Sequence, residues 1–358
     1  MKMSFGCLVV IAGLLLAFGG CMRNDDEPLL PTRPISRLYI SFEDVAQSDT
    51  EPPVDNVALI DPADGGTMTI DFNHNSGAAG GAGIHFSPNV GRAFQSGRYD
   101  TLVRVMQVNN LGQLANTGRL GNSRLNQMRG VAFHPATQML YVANTGSTFS
   151  HIYGFYQPMN RNGYTVPNRA LQLTEGVRPW GMVLWGDSLL VSDAAANGGI
   201  QLYGNLSQAD SVEVNFPAIS TLRIPGALSI RGIAFVDSLD VLVAADYGDP
   251  NQNMAGKVYI IQGIKEHLTQ PLVTVMPTRV ISGPLTGLSG PIDVAIDPRP
   301  RADGQRIIYV ADAAERPGKV LRFKLSDSGN VAPEAEVTFS APNRRPFSIF
   351  LDARGQVQ

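Results

Sequence analysis

Cysteine, histidine and charge are all scarce in this chain. Its 358 residues hold two cysteines and five histidines, and charged side chains make up 16% of the total. His74, His85, His134, His151 and His267 have no second histidine or cysteine at a metal-ligand spacing, which argues against a zinc-type centre. The formal net charge is −3 and the basic residues are isolated arginines rather than blocks, so nothing would gather nucleic acid. The longest apolar run, Phe5 to Gly19, falls short of the ~20 residues that cross a bilayer as a helix. There is no Gly-x-Ser-x-Gly elbow and no His-Glu-x-x-His helix. The glycines from Gly77 to Gly83 lack the strand-then-helix setting of a phosphate-binding loop.

What is present is a repeat. Hydrophobic residues make up 44%, enough to fill a β-rich core. A short apolar strand, usually opened by glycine, recurs at a period of about fifty residues: Gly83 to Phe86, Gly130 to Phe133, Gly181 to Leu184, Gly232 to Phe235, Asp293 to Ile296 and Ser348 to Leu351. Between copies, short segments rich in Val, Ile, Leu and Tyr alternate with Pro, Gly, Asn and Asp, and only Lys265 to Leu268 hints at a helical turn. This spacing predicts an all-β, six-bladed β-propeller of four-stranded antiparallel blades. In the third repeat the strands are expected at 130–133, 139–143, 151–157 and 170–173. In the fourth they are expected at 181–185, 188–192, 199–203 and 212–215. Blade one is assembled from both ends of the chain, Ser348 to Leu351 supplying the inner strand and 37–42, 56–60 and 67–72 the rest, which removes the two open edges of the ring.

The second strands Tyr141-Val142-Ala143-Asn144, Leu190-Val191-Ser192-Asp193, Val243-Ala244-Ala245-Asp246 and Tyr309-Val310-Ala311-Asp312 resemble those of NHL and YVTN-type propeller repeats. Arg178-Pro179-Trp180-Gly181 and Arg345-Pro346-Phe347 resemble the lead into the inner strand of the same group. Blades one and two carry neither the acid nor the full motif. The resemblance implies an architecture, which serves many functions. Gluconolactonases and paraoxonases share the six-bladed form and hold a central divalent ion with Glu, Asn and Asp side chains. That likeness makes Asn144, Asp193, Asp246, Asp312 and Glu43, with Asp44 beside it, candidate ligands for Ca²⁺ or another divalent cation. The alternative is that each strand-end acid caps backbone N–H groups of its own turn and no cofactor is needed.

Arginines gather just before the inner strands. Arg129, Arg178, Arg231 and Arg345, together with Trp180 and Tyr247, are the candidate ligand-binding residues of one loop-rich face, where guanidinium forks could receive a carboxylate, sulfate or phosphate. They could instead pair with the acids of their own blades. Asp71-Asn73-Asn75 and Asp249-Asn251-Asn253 begin like calcium loops but lack the downstream glycine and glutamate, so both read as turns.

At the N-terminus, Lys2 and the apolar run have the form of a secretory signal. Ala17-Phe18-Gly19-Gly20-Cys21 resembles a bacterial lipobox, which implies acylation at Cys21, removal of Cys7 with the signal, and no disulfide. The acidic tract Asp25-Asp26-Glu27 resembles the surface-export signal of Bacteroidota lipoproteins. The expected organisation is a signal peptide over 1–20, an acidic and Pro-rich tether over 21–36 and a single propeller over 37–358, anchored by lipid in the cell envelope, at the outer membrane. Function is read as non-enzymatic binding or scaffolding of a protein, peptide or glycan, with a metal-dependent lactonase-type hydrolase as the alternative.

Overall fold

A computed structural model describes residues 34–46, 51–196, 198–249, 251 and 255–355. The expected signal peptide, Cys21 and most of the tether lie outside the described residues. Among the described residues the α-helix is confined to Ile264–His267, and no helix is long and apolar enough to cross a membrane.

Six sheets form the molecule. Their inner strands are Pro346–Arg354, Gly81–Ser87, Met128–His134, Pro179–Trp185, Ile230–Val236 and Pro291–Ile296, for blades one to six. Each touches the next in this cyclic order, and the sixth touches the first, so the ring is closed. Closure uses the two chain ends as expected: Ile35–Phe42 pairs antiparallel with Pro346–Arg354, from Ile35 opposite Arg354 to Ser41 opposite Ser348.

Side chains alternate along each strand, so a blade buries both faces, one against each neighbour. Leu38 and Ile40 enter the core shared with blade six, beside Tyr309 and Val320, while Tyr39 enters the core shared with blade two, beside Ile84 and Met106. Four further clusters fill the remaining interfaces between blades. Arginines brace the seam where the ends meet. Arg322 of blade six donates to the carbonyls of Ala63 and Gly65 in blade one, and Arg299 reaches the Arg354 carbonyl at 3.1 Å.

Two strands differ from expectation. The outer strand of blade one is Phe72–His74, not 67–72, because Met68 and Ile70 leave the ladder to pack into the core between blades six and one. The fourth strand of blade four is Ser220–Arg223; Val212–Glu213 crosses to pair parallel with Arg169–Gln172 of blade three. Blades two and four gain a fifth, parallel strand in the same way, from Gly163–Tyr164 and Leu272–Thr274.

Glycine is required where the inner strands meet near the axis. Gly83, Gly130, Gly181 and Gly232 occupy one ring position, completed by Asp293 and Ser348, and all six inner strands shift register beside it. A Cβ on Gly130 would lie 2.5 Å from the Trp180 carbonyl oxygen, and one on Gly232 would lie 2.2 Å from the Asp293 Cα. Gly232→Ala should therefore lower stability by about 1–3 kcal/mol, read from the urea midpoint. Gly66→Ala, with nothing within 4 Å of the new Cβ, should stay within about 0.5 kcal/mol of the parent. Equal midpoints for the two would contradict the axial packing.

Candidate functional site

The second strand of each blade runs antiparallel to the inner strand and ends where the inner strand begins, so both deliver side chains to one mouth of the ring. The strand-end acids act there on backbone. Asp193 Oδ1 accepts from the amides of Arg178 and Ala195 at 2.9 and 3.0 Å. Asp246 accepts from Leu228, Ser229 and Gly248 at 3.0, 2.8 and 3.2 Å. Asp312 Oδ2 accepts from Ser289 and Gly290 at 2.8 and 2.9 Å, and Asn144 Oδ1 from Gln127 at 2.9 Å.

Blades one and two carry the same device out of register. Asp44, two residues past the strand end, accepts from the Arg345 amide at 2.8 Å. Asp100 accepts from the Ala79 amide at 3.0 Å. Its carboxylate fills the space of the missing side chain at Gly97, where a Cβ would lie 1.9 Å from Asp100 Oδ1. All six blades thus hold the lead into the inner strand with an Asp or Asn; in blades one and two, whose strand-end positions Phe42 and Gly97 carry no acid, as the sequence leads one to expect, Asp44 and Asp100 take that part. These residues do not converge: no group of three His, Cys, Asp or Glu suited to a metal ion exists among the described residues. Asn144, Asp193, Asp246 and Asp312 instead spend their oxygens on backbone amides, and Glu43 on arginines.

Asp44 pairs with Arg316 and Asp100 with Arg104, but no ion pair joins one of these acids to Arg129 or Arg231 among the described residues. Glu43 is engaged by Arg345 at 3.0 Å and by Arg98 at 3.9 Å. Arg129 and Arg231 instead stack on aromatic rings. Arg129 lies 4.8 Å from the ring centre of Trp180, and Arg231 lies 4.6 Å from that ring and 3.4 Å from that of Tyr247. Arg98 lies 5.5 Å from the Phe347 ring and 5.1 Å from that of Tyr99. Trp180 and Phe347 come from opposite blades, four and one, and stack across the axis at 5.1 Å with 17° between planes. Their stack closes the channel at this mouth.

The arrangement is electrostatically strained. Burial pulls the Arg129 and Arg231 guanidiniums down to about 10; Tyr247, through a side-chain hydrogen bond, supports Arg231, neighbouring arginines disfavour each, Arg98 and Arg231 acting on Arg129 and Arg345 on Arg231, and Glu43 supports both. The Nε atoms of Arg98, Arg129 and Arg231 are buried with no protein hydrogen-bond partner among the described residues. Such donors are costly to leave unmade, and an oxyanion would supply both acceptors and countercharge.

Of the expected ligand residues, the structure brings Arg129, Arg231, Arg345, Trp180 and Tyr247 together. Arg178 is exposed, and no ion pair or ring contact joins its side chain to the group among the described residues. Sequence reasoning missed Arg98, Tyr99 and Phe347. Gly97, standing where other blades carry an acid, is the one local signal that could have drawn attention to Arg98.

Below the closed mouth the axis opens as a blind channel of about 420 Å³. Its walls include Val131, Met182, Ile233, Val294 and Phe350, and Asp293 and Ser348 stand at its closed end. His85 faces this channel rather than bulk solvent, edge-on to Phe350 at 4.7 Å, and burial lowers it to about 4, so the ring is neutral at neutral pH.

No family model matches this chain. No curated protein matches it either. Among solved structures, it is similar to a candidate 6-phosphogluconolactonase of Bacteroides fragilis, with a TM-score of 0.57, 10% identity and coverage of 91% of this chain and all of that one. A chain from a nidogen/laminin complex gives 0.56 and 13%, covering 90% of this chain and 99% of its own. A protein from Lactobacillus plantarum gives 0.51 and 12%, covering 89% and 99%. At these identities the likeness shows the propeller fold.

If the strand-end acids are structural, Asp246→Ala should cost about 2–3 kcal/mol by leaving three amides without their acceptor, and Asp246→Asn less, as measured by chemical denaturation. Loss of a bound divalent ion with stability unchanged in Asp246→Ala would contradict the capping role.

Proposed function

We propose that this chain is a lipid-anchored envelope protein whose propeller captures an anionic group of a protein, peptide or glycan at the arginine and aromatic mouth. The single observation that carries the reading is the mismatch of charge: Arg98, Arg129, Arg231 and Arg345 gather around Glu43, while the repeat's own acids are engaged by amides. Guanidiniums fixed by ring stacking lose little freedom on binding, which favours a pre-formed site. Anchoring rests on the sequence: the lipobox-like residues ending at Cys21, and two or three acyl chains stabilising attachment by about 0.8 kcal/mol per buried CH₂. The acidic tract after Cys21 supports display at the cell surface, as in Bacteroidota lipoproteins. The alternative, a divalent-ion-dependent lactonase, has support from the likeness in fold to the B. fragilis protein, but the expected metal donors are engaged by backbone amides and, at Glu43, by arginines.

Titration of the soluble chain beginning after Cys21 with a polyglutamate peptide and with polygalacturonate, followed by Trp fluorescence, tests the reading. The Arg129→Gln/Arg231→Gln double variant should bind the preferred polyanion at least about tenfold more weakly while its melting temperature stays near the parent's. Unchanged affinity, or binding by neither polyanion, would overturn the anion site, and lactone hydrolysis that needs a divalent ion would replace it.

A further inference from the structure

Asp293 breaks the glycine rule of the axial ring. Four blades place Gly83, Gly130, Gly181 and Gly232 at this position and a fifth places Ser348, yet blade six puts a carboxylate at the closed end of the channel. Oδ2 accepts from Ser348 Oγ at 2.7 Å and from the Ile349 amide at 2.8 Å, and Oδ1 from its own neighbour's amide, Val294, at 2.9 Å. These bonds hold the group in place and tie blade six to the closing strand. None of them brings a positive charge. No lysine or arginine is among the residues lining the channel, whose other titratable side chains are His85 and His134. Asp293 is partly buried, and a carboxylate withdrawn from bulk water is ordinarily paired with a cation or coordinated.

The cavity around it is of ligand size. Its volume of about 420 Å³ falls within the roughly 300–1,000 Å³ of small-molecule sites. The walls are the apolar inner strands, and the free opening lies past His134, Pro135 and Leu351, at the end of the ring opposite the arginines. The stacked Trp180 and Phe347 rings separate the two regions, so an occupant of the channel does not compete with an anion at the mouth.

We propose that the channel is a second binding site, for a small apolar molecule ending in an ammonium group, with the ammonium against Asp293 and the apolar body between Val131, Ile233 and Val294. Carboxylate at the closed end and hydrocarbon along the walls select this polarity of ligand: an alcohol of the same shape lacks the charge, and a carboxylic acid would meet a like charge. Burial raises the Asp293 carboxyl to about 6, so the group is mainly ionised at neutral pH, and its three hydrogen bonds do not fully offset the desolvation that a cation would relieve.

Isothermal titration of the folded chain at neutral pH with cyclohexylammonium, and with cyclohexanol as its neutral counterpart, tests this directly. Cyclohexylammonium should bind at least about tenfold more tightly than cyclohexanol. Asp293→Gly, which installs the residue that four other blades carry at this position, should remove that preference while circular dichroism shows the same sheet signal. Equal affinity for the two probes, no binding of either at millimolar concentration, or an unchanged preference in Asp293→Gly would each overturn the proposal. So would stabilisation of the parent by Ca²⁺ that Asp293→Gly abolishes, since that outcome assigns the carboxylate to a metal ion. Should Asp293→Gly fail to fold, Asp293→Ser, which matches Ser348, provides the same comparison.

Discussion

One hydrogen-bonding device, an Asp or Asn oxygen accepting the backbone amides that lead into each inner strand, governs the chemistry of this molecule. It is made six times, by Asp44, Asp100, Asn144, Asp193, Asp246 and Asp312. A buried amide left without an acceptor costs about 1–3 kcal/mol, so each acid is held to its turn. The consequence is electrostatic. Carboxylates that might have neutralised Arg129 and Arg231 are already engaged, and those guanidiniums turn to the faces of Trp180 and Tyr247. Structure at the turns thus produces an excess of positive charge at the mouth.

The axis imposes a second constraint. Inner strands approach so closely that four blades tolerate only glycine, and just outside that ring the six positions are Ala82, Arg129, Trp180, Arg231, Ile292 and Phe347. Two aromatics from opposite blades can meet there, and they divide the axis into a charged, closed mouth and an apolar, open channel. The chemical difference between the two ends follows from which side chains occupy two adjacent rings.

Most of the architecture was legible because the repeat is enforced at every level: glycine at the axis, alternating apolar residues between blades, an acid at the turn. The spliced first blade followed from strands lacking a leader at one end and a strand lacking followers at the other. Other features were hidden for physical reasons. Asp100 reaches the same kind of amide from a shifted sequence position, so motif spacing alone conceals it. Val212–Glu213 has the composition of a blade's own outer strand, and only the fold reveals that it serves the preceding blade. Phe347 and Trp180 are far apart in sequence, and no local pattern predicts their contact. The choice between arginine pairing with acids and arginine free for an anion depended on where the acids point, which spacing does not encode.

The central claim is that the arginines at the closed mouth hold uncompensated positive charge. It is tested most directly by crystals of the folded chain soaked in selenate, with the bound anion located by anomalous scattering. The account predicts a selenium peak within hydrogen-bonding distance of the Arg129 and Arg231 guanidiniums and its loss in the Arg129→Gln/Arg231→Gln variant. Ordered selenate elsewhere on the surface, with none at this mouth, would contradict it.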